Sequence, residues 1–256
     1  MHWHQPAANR AMFEEKIWTI DQQTDLIILP EMFTTGFTME AANQAEPYGS
    51  TTFHWMKQMA AQTKAAICGS YIVKEKGAYF NRLVWINPDG QDYYYNKRHL
   101  FRMAQEHKTY TEGTELLIVD CKGWKICPQI CYDLRFPVWN RNFWNESTQS
   151  FGYDLLIFVA NWPVPRINAW DTLLQARAIE NLSYSIGVNR IGADDAGMSY
   201  CGHSSLVDYK GNFLHLLKDE DAIHTQSLDA DGLLSFRNKF PVHKDADRFR
   251  ILTDDE

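Results

Sequence analysis

The turn Asn87-Pro88-Asp89-Gly90 restricts the possible folds more than any other stretch of this chain. Proline followed by Asp-Gly between two strand-like runs is a hairpin signal. The flanking runs, 80–87 and 92–95, are rich in aromatic and β-branched residues. A hairpin makes its two strands antiparallel. The rest of the chain alternates short apolar runs with helical patterns. That combination excludes an all-parallel, doubly wound sheet and a simple barrel of βα units. Two mixed sheets packed together, with helices outside, satisfy it.

The other elements are read from periodicity. Residues 9–20 carry Phe13, Ile17 and Ile20 on one helical face. The run 25–30 is almost wholly apolar, as expected of a strand covered on both faces. Ser50-Thr51-Thr52 is placed to cap a helix running to Thr63. A strand is expected over 65–73, interrupted by Gly69. Strands at 115–120 and 124–130 flank Cys121-Lys122-Gly123. A helix is expected over 138–145, a strand over 154–160, and a longer helix from Arg166 with Trp170, Leu173, Leu174 and Ala178 in register. Strands follow at 184–189, 204–209, 213–217 and 223–229. No repeat, low-complexity tract or linker interrupts this order, so residues 1–256 read as a single domain. At roughly 100–200 residues per domain, 256 residues allow one or two.

Composition narrows the function classes. Hydrophobic residues make up 45% and charged residues 22%, which excludes wholesale disorder. A net charge of -7 argues against a nucleic-acid partner, which calls for clustered Lys and Arg. No apolar run reaches the roughly 18 residues of a membrane span. Five irregularly spaced cysteines and a start without a basic, then apolar, leader read as a cytoplasmic, reduced protein. The acidic end at Asp254, Asp255 and Glu256 reads as solvated tail.

Three strand ends carry polar residues where ligands of α/β sheets commonly bind. In Leu29-Pro30-Glu31-Met32-Phe33, Glu31 is either a partly desolvated base or a solvated strand-end charge. In the stretch from Tyr95 to Phe101, Lys97 is either an oxyanion-stabilising cation or part of a surface basic cluster. Glu106 lies nine residues further on, alone in its loop. The third is Cys131-Tyr132-Asp133-Leu134-Arg135-Phe136-Pro137, where a strand runs into a tight turn before a helix. That order resembles a nucleophile elbow. Cys131 is then either a nucleophile in need of a base or a small buried hydrophobe. Cys127 would share the Cys131 face if the strand continued. The two have no second Cys pair, so no metal is expected; Gly192 to Gly197 lacks the G-x-G-x-x-G order of a dinucleotide loop, and no cofactor is expected. Cys201 beside His203 lacks a presenting turn.

Taken together, Leu-Pro-Glu-Met-Phe, Lys-Arg-His-Leu-Phe and Cys-Tyr-Asp-Leu-Arg-Phe-Pro resemble the nitrilase (carbon–nitrogen hydrolase) superfamily. Their spacings, 66 from Glu31 to Lys97 and 34 from Lys97 to Cys131, fit that resemblance. So do Ala160-Asn161-Trp162-Pro163 and the stretch from Ala176 to Asn181. The resemblance covers essentially the whole chain, and it is strongest to bacterial omega-amidases. It implies an α/β fold, a four-layer αββα sandwich of two mixed sheets, usually paired into a homodimer. It implies Cys131 as nucleophile, Glu31 as base and Lys97 as oxyanion cation, with Glu106 as a supporting carboxylate and the Tyr132 backbone N–H as oxyanion donor. The substrate would be a small omega-amide such as 2-oxoglutaramate or 2-oxosuccinamate, cleaved by water. Arg135 and Arg102 are the candidate partners of its distal carboxylate, and Arg135 is alternatively a partner of Asp133. Trp162 and Phe33 are candidate pocket walls. The alternatives are a related amidase or nitrilase with another substrate, and a catalytically silent interaction module on the same fold. Members of the superfamily usually open with a strand ahead of the first helix. Here Met1 falls almost at the helix, so an open sheet position, from a late start, is expected.

Overall fold

The computed structural model describes residues 1–252. The acidic residues Asp254, Asp255 and Glu256 lie outside them.

Two mixed sheets face each other. The first contains β1 (Leu26–Ile28), β2 (Glu46–Pro47), β3 (Ala66–Glu75), β4 (Ala78–Ile86) and β5 (Asp92–Asn96). Its order is β1-β3-β4-β5, and β2 also pairs with β3. β3 and β4 are antiparallel, as are β4 and β5 across the expected hairpin. The second contains β6 (Val119–Cys121), β7 (Trp124–Ile130), β10 (Leu155–Ala160), β11 (Tyr184–Asn189), β12 (Ile191–Ala193), β13 (Ser199–Val207) and β14 (Phe213–Lys218). Its order is β12-β13-β11-β10-β7-β6, with β14 on β13. β8 (Trp144–Asn145) and β9 (Ser150–Phe151) form a small separate hairpin. The helices are α1 (Pro6–Trp18), α2 (Ala41–Gln44), α3 (Thr51–Thr63), α4 (Pro137–Asn140), α5 (Ile167–Asn181) and α6 (Ala230–Lys239).

Strand alternation explains why the central runs are apolar at every position. In β10, Leu155, Ile157 and Val159 face the first sheet and pack with Cys68, Leu83, Trp85 and Ile130. Leu156, Phe158 and Ala160 point the other way, onto Trp170, Leu174 and Ala178 of α5. The outer face of the first sheet is covered in the same way: Ile67, Tyr71, Val73 and Val84 meet Ile17 of α1 and Phe53, Met56 and Met59 of α3. The layers are therefore αββα, as the resemblance implied. Gly69 does not interrupt β3; it permits a close approach. A Cβ there would sit 2.7 Å from Leu29 Cβ and 3.1 Å from the Phe33 ring.

Several boundaries differ from the sequence reading. The helix expected over 138–145 ends at Asn140, because Asn142 turns its amide to the carbonyls of Tyr153 and Asn181 instead. The expected strand at 223–229 joins neither sheet among the described residues and is irregular; its end, Asp229, caps α6 through Gly232 N–H. Of the run 115–120 only Val119 and Asp120 are strand, in β6 with Cys121. Ser50 begins α3 without a side-chain cap, and Glu46 takes that task by accepting from Thr52 N–H at 2.8 Å.

Among the described residues β1 pairs with β3 and is an edge strand of its sheet. Beside that edge lies a cavity of about 710 Å³, lined by Phe13, Ile17, Ile28, Ile186, Leu206 and Leu217 among others. It reaches neither Lys97 nor Cys131. Among the described residues no helix is long and apolar enough to cross a membrane.

Candidate active site

At one end of the inter-sheet layer the apolar core gives way to a buried polar cluster. Ser70 of β3 and Asn81 of β4 share the inward face with Cys68, Leu83 and Trp85, but their side chains bond to each other at 2.9 Å. Asn81 also donates to Glu31 at 2.9 Å and Glu106 at 3.3 Å. The Lys97 ammonium is 2.9 Å from Glu31 Oε1 and 3.0 Å from each Glu106 oxygen. Glu31 and Glu106 are 0% exposed and Lys97 1%. These are neither surface charges nor a solvated cluster. The local alternatives for Glu31 and Lys97 are overturned, because the two sheets close over them.

Cys131 ends β7 and opens a 3₁₀ turn, Cys131–Arg135, with φ +44°. A left-handed conformation costs a non-glycine residue about 1–2 kcal/mol, and such strain clusters at functional sites. The turn takes Cys131 off the strand face it would have shared with Cys127. Cys127 is buried in the outer core, where burial pushes its thiol up to about 12. Cys131 keeps partial exposure, so a small molecule can reach it. All five cysteines are free.

The cluster perturbs its own proton affinities. Burial, then Glu31 and Glu106, push the Cys131 thiol well above its ordinary value, and Lys97 and the Asn161 N–H only partly oppose them. Burial alone would lower Lys97, but Glu106 and Glu31 outweigh it and hold it above the usual lysine range. Burial, seconded by Glu31, raises Glu106. These shifts favour the charged form of Lys97 and the thiol form of Cys131.

Asp133 is the part of the site that sequence reasoning missed. Its carboxylate is 0% exposed and accepts four bonds. Tyr95 O–H donates at 2.8 Å and Ile130 N–H at 3.2 Å. His99 donates from its backbone N–H at 2.9 Å, and its Nδ1 lies at 2.8 Å. One side chain thus ties the loop after β5, which carries Lys97, to the turn that carries Cys131. Behind the turn, Arg177 of α5 donates to the Leu134 carbonyl at 2.6 Å and to Asn140 at 2.8 Å. From β10, Asn161 donates its backbone N–H to Glu31 Oε2 at 2.8 Å and its amide to the Glu31 carbonyl at 2.8 Å.

The predicted substrate contacts divide. The Tyr132 N–H lies in the first turn of the 3₁₀ segment, where helical geometry supplies no carbonyl partner. Arg135 does not bond to Asp133, whose oxygens are taken; its guanidinium lies 4.8 Å over the Trp162 ring. Trp162 is buried and donates its indole N–H to the Arg166 carbonyl at 2.8 Å. Phe33 is not a pocket wall. It packs in the outer core against Phe13, Trp55 and Tyr71, on the far side of the sheet. Arg102 is exposed, and among the described residues its side chain has no hydrogen bond, ion pair or ring contact to bring it to the cluster.

A family model for carbon-nitrogen hydrolase matches residues 3–237. The chain belongs to the carbon–nitrogen hydrolase family. Omega-amidase YafV of Yersinia enterocolitica is 43% identical over 251 residues, covering 98% of this chain and 94% of that protein. The 2-oxoglutaramate amidase of Bacillus subtilis is 31% identical over 243 residues, covering 94% and 92%. Among solved structures, XC1258 of Xanthomonas campestris superposes with a TM-score of 0.96 at 43% identity, over 98% of this chain and 95% of that one. It is described as a CN-hydrolase superfamily protein with an arsenic adduct in the active site. This carbon–nitrogen hydrolase is thus an enzyme acting on C–N bonds, and its αββα sandwich is the fold of its relatives.

Proposed function

We propose that this enzyme hydrolyses the terminal amide of a small omega-amide, of the 2-oxoglutaramate or 2-oxosuccinamate type, through a Cys131 thioester. The observation that carries the chemistry is the Lys97 ammonium, clamped by two fully buried carboxylates beside a thiol presented on a strained turn. The names of the omega-amidase and 2-oxoglutaramate amidase relatives support the substrate class.

Glu31 takes the thiol proton as Cys131 sulfur attacks the amide carbon. The carbonyl electrons move to oxygen, which meets Lys97 and the Tyr132 N–H. Glu31 then hands its proton to the amide nitrogen, the C–N bond breaks, and ammonia leaves a thioester. Glu31 next deprotonates a water that attacks the thioester. Collapse expels the sulfur, which recovers its proton, and the acid departs. Glu106 holds Lys97 in place with both oxygens and also accepts Phe101 N–H at 2.6 Å. Arg135, over Trp162, faces the distal carboxylate. Residues 1–256 act as one catalytic domain. A homodimer of αββα units and a cytoplasmic location belong to the same proposal on the strength of the resemblance.

Ammonia release from 2-oxoglutaramate, 2-oxosuccinamate, glutamine, asparagine and simple nitriles tests the reading. Preferential turnover of the keto-acid amides is expected, with loss in Cys131→Ala and mass-detectable acyl-enzyme at Cys131. Nitrile turnover without amide turnover overturns the substrate class. No turnover of any of these amides or nitriles by the wild-type chain overturns the enzyme reading.

A further inference from the structure

Two guanidinium groups near the cluster have no carboxylate partner among the described residues. Arg135 was expected to face substrate. Arg166 was not singled out for that role, and its position is visible only in the folded chain. It closes a 3₁₀ turn, Val164–Arg166, that leads into α5. Its guanidinium lies 5.3 Å over the Phe101 ring.

These aromatic rings connect both arginines to the reacting groups. The Phe101 ring is 5.0 Å from that of Tyr132, the residue after Cys131. The Phe101 N–H is bonded to Glu106. On the other side, Arg135 lies over Trp162, which follows Asn161, the partner of Glu31. Trp162 then bonds back to the Arg166 carbonyl. Arg166 and Arg135 therefore each sit one aromatic ring from the cluster, on the same indole-linked rim, and both are half-buried.

The nearby acids are already committed. Glu31 and Glu106 hold Lys97. Asp133 is filled by Tyr95, His99 and Ile130. Asp171 holds His203, and Glu180 holds Arg177. Each half-buried guanidinium lacks a carboxylate partner among the described residues, so a carboxylate arriving from solution would find both free to pair. Arginine is suited to the task because its planar fork recognises carboxylates with paired bonds.

We infer that Arg166 is a second specificity-determining cation, which with Arg135 clamps the distal carboxylate of the amide substrate. The inference rests on the omega-amide reading above and adds to it a residue whose removal changes substrate choice rather than chemistry. Arg166 replaces Arg102 in that role.

The test uses the full chain and its Arg166→Gln and Arg166→Lys variants. Kinetics are measured on glutaramate and 2-oxoglutaramate, and on pentanamide, which matches glutaramate in length without the carboxylate. Loss of a charge-assisted pair is expected to raise KM for the carboxylate-bearing amides about ten- to a hundredfold. The kcat on those amides and the kcat/KM on pentanamide should stay within threefold, and Arg166→Lys should be intermediate. Inhibition by glutarate should weaken in parallel. An unchanged KM and glutarate inhibition in Arg166→Gln overturns the clamp while leaving the omega-amide reading intact. A fall in kcat on all amides alike also overturns it, since that is the signature of Arg166 merely supporting Phe101 and Glu106. A wild-type enzyme without preference for the carboxylate-bearing amides overturns the underlying reading itself.

Discussion

Asp133→Asn tests the claim that one buried carboxylate holds the two halves of the site together. The substitution keeps shape and removes an acceptor. If the amide oxygen faces His99, the amide nitrogen faces Tyr95 O–H and Ile130 N–H, which are both donors. Tyr95 cannot easily turn to accept, because its oxygen already receives Arg98 N–H at 3.2 Å and the Trp139 indole at 3.1 Å. The Ile130 N–H is then unpaired and buried, at about 1–3 kcal/mol, and the bonds to His99 lose their charge assistance, at about another 1–1.5 kcal/mol. The total, about 2–4.5 kcal/mol, is a large part of the roughly 5–15 kcal/mol that holds a domain folded. Urea denaturation followed by fluorescence reads it as a lower midpoint at an unchanged slope. Activity should fall further than stability implies. Ile130 immediately precedes the strained Cys131, and relaxation there moves the sulfur; a misplacement of about 1 Å costs on the order of a hundredfold in rate. A variant destabilised by less than 1 kcal/mol, with kcat within twofold of wild type, would refute the reasoning.

Lys97→Met leaves Glu31 and Glu106 buried without their cation, so about 3–5 kcal/mol of stability and essentially all turnover should be lost, as measured by chemical denaturation and ammonia release. Gly69→Ala puts a methyl into Leu29 and the Phe33 ring, and a drop of about 1–3 kcal/mol is expected in the same denaturation assay. The raised Cys131 thiol makes its alkylation by iodoacetamide climb steadily from pH 6 to 9; a plateau near pH 7 would show a standing thiolate instead. Cys127 is raised from 9.0 to about 12, so its share of stability is whole below about pH 9 and is lost as pH rises toward 12. The urea midpoint of wild type should fall over that window by more than that of Cys127→Ala.

The strands were legible wherever alternation had a partner on both sides. In β10 every residue is apolar because each face meets a packed layer, and the run could be read directly. The run 223–229, with Ile223 and Leu228 as its apolar residues, was read as a strand, yet it lines the cavity beside β1 without joining a ladder, and local sequence does not encode which edges pair. Glu31, Lys97 and Cys131 were ambiguous singly, since each is simply a polar residue after a strand. Their order and spacing made them readable as a set. Phe33 was misplaced because Met32, with φ +41°, reverses the chain after Glu31 and sends the next side chain to the opposite face. Asp133 and Arg166 were hidden for a related reason. Their partners are 34 and 65 residues away or lie across a tight turn, and nothing near them in sequence marks the contact.

The charge count of the cluster explains why the proposed nucleophile rests as a thiol. One buried ammonium faces two buried carboxylates, so an added thiolate would put three anions around one cation. Burial, Glu31 and Glu106 all oppose that state, which is why the thiol is raised rather than lowered. Cysteine enzymes that hold a standing thiolate do so beside a surplus of positive charge; here the surplus is negative. A proton passed from Cys131 to Glu31 leaves the total charge unchanged, so in the proposed mechanism it moves only together with attack. The geometry also couples that transfer to substrate arrival. The three Lys97 donors point at Glu31 Oε1 and the two Glu106 oxygens. A substrate oxygen gathering negative charge draws one of them away. To the extent that Glu31 loses that bond, its affinity for a proton rises as the thiol must give one up.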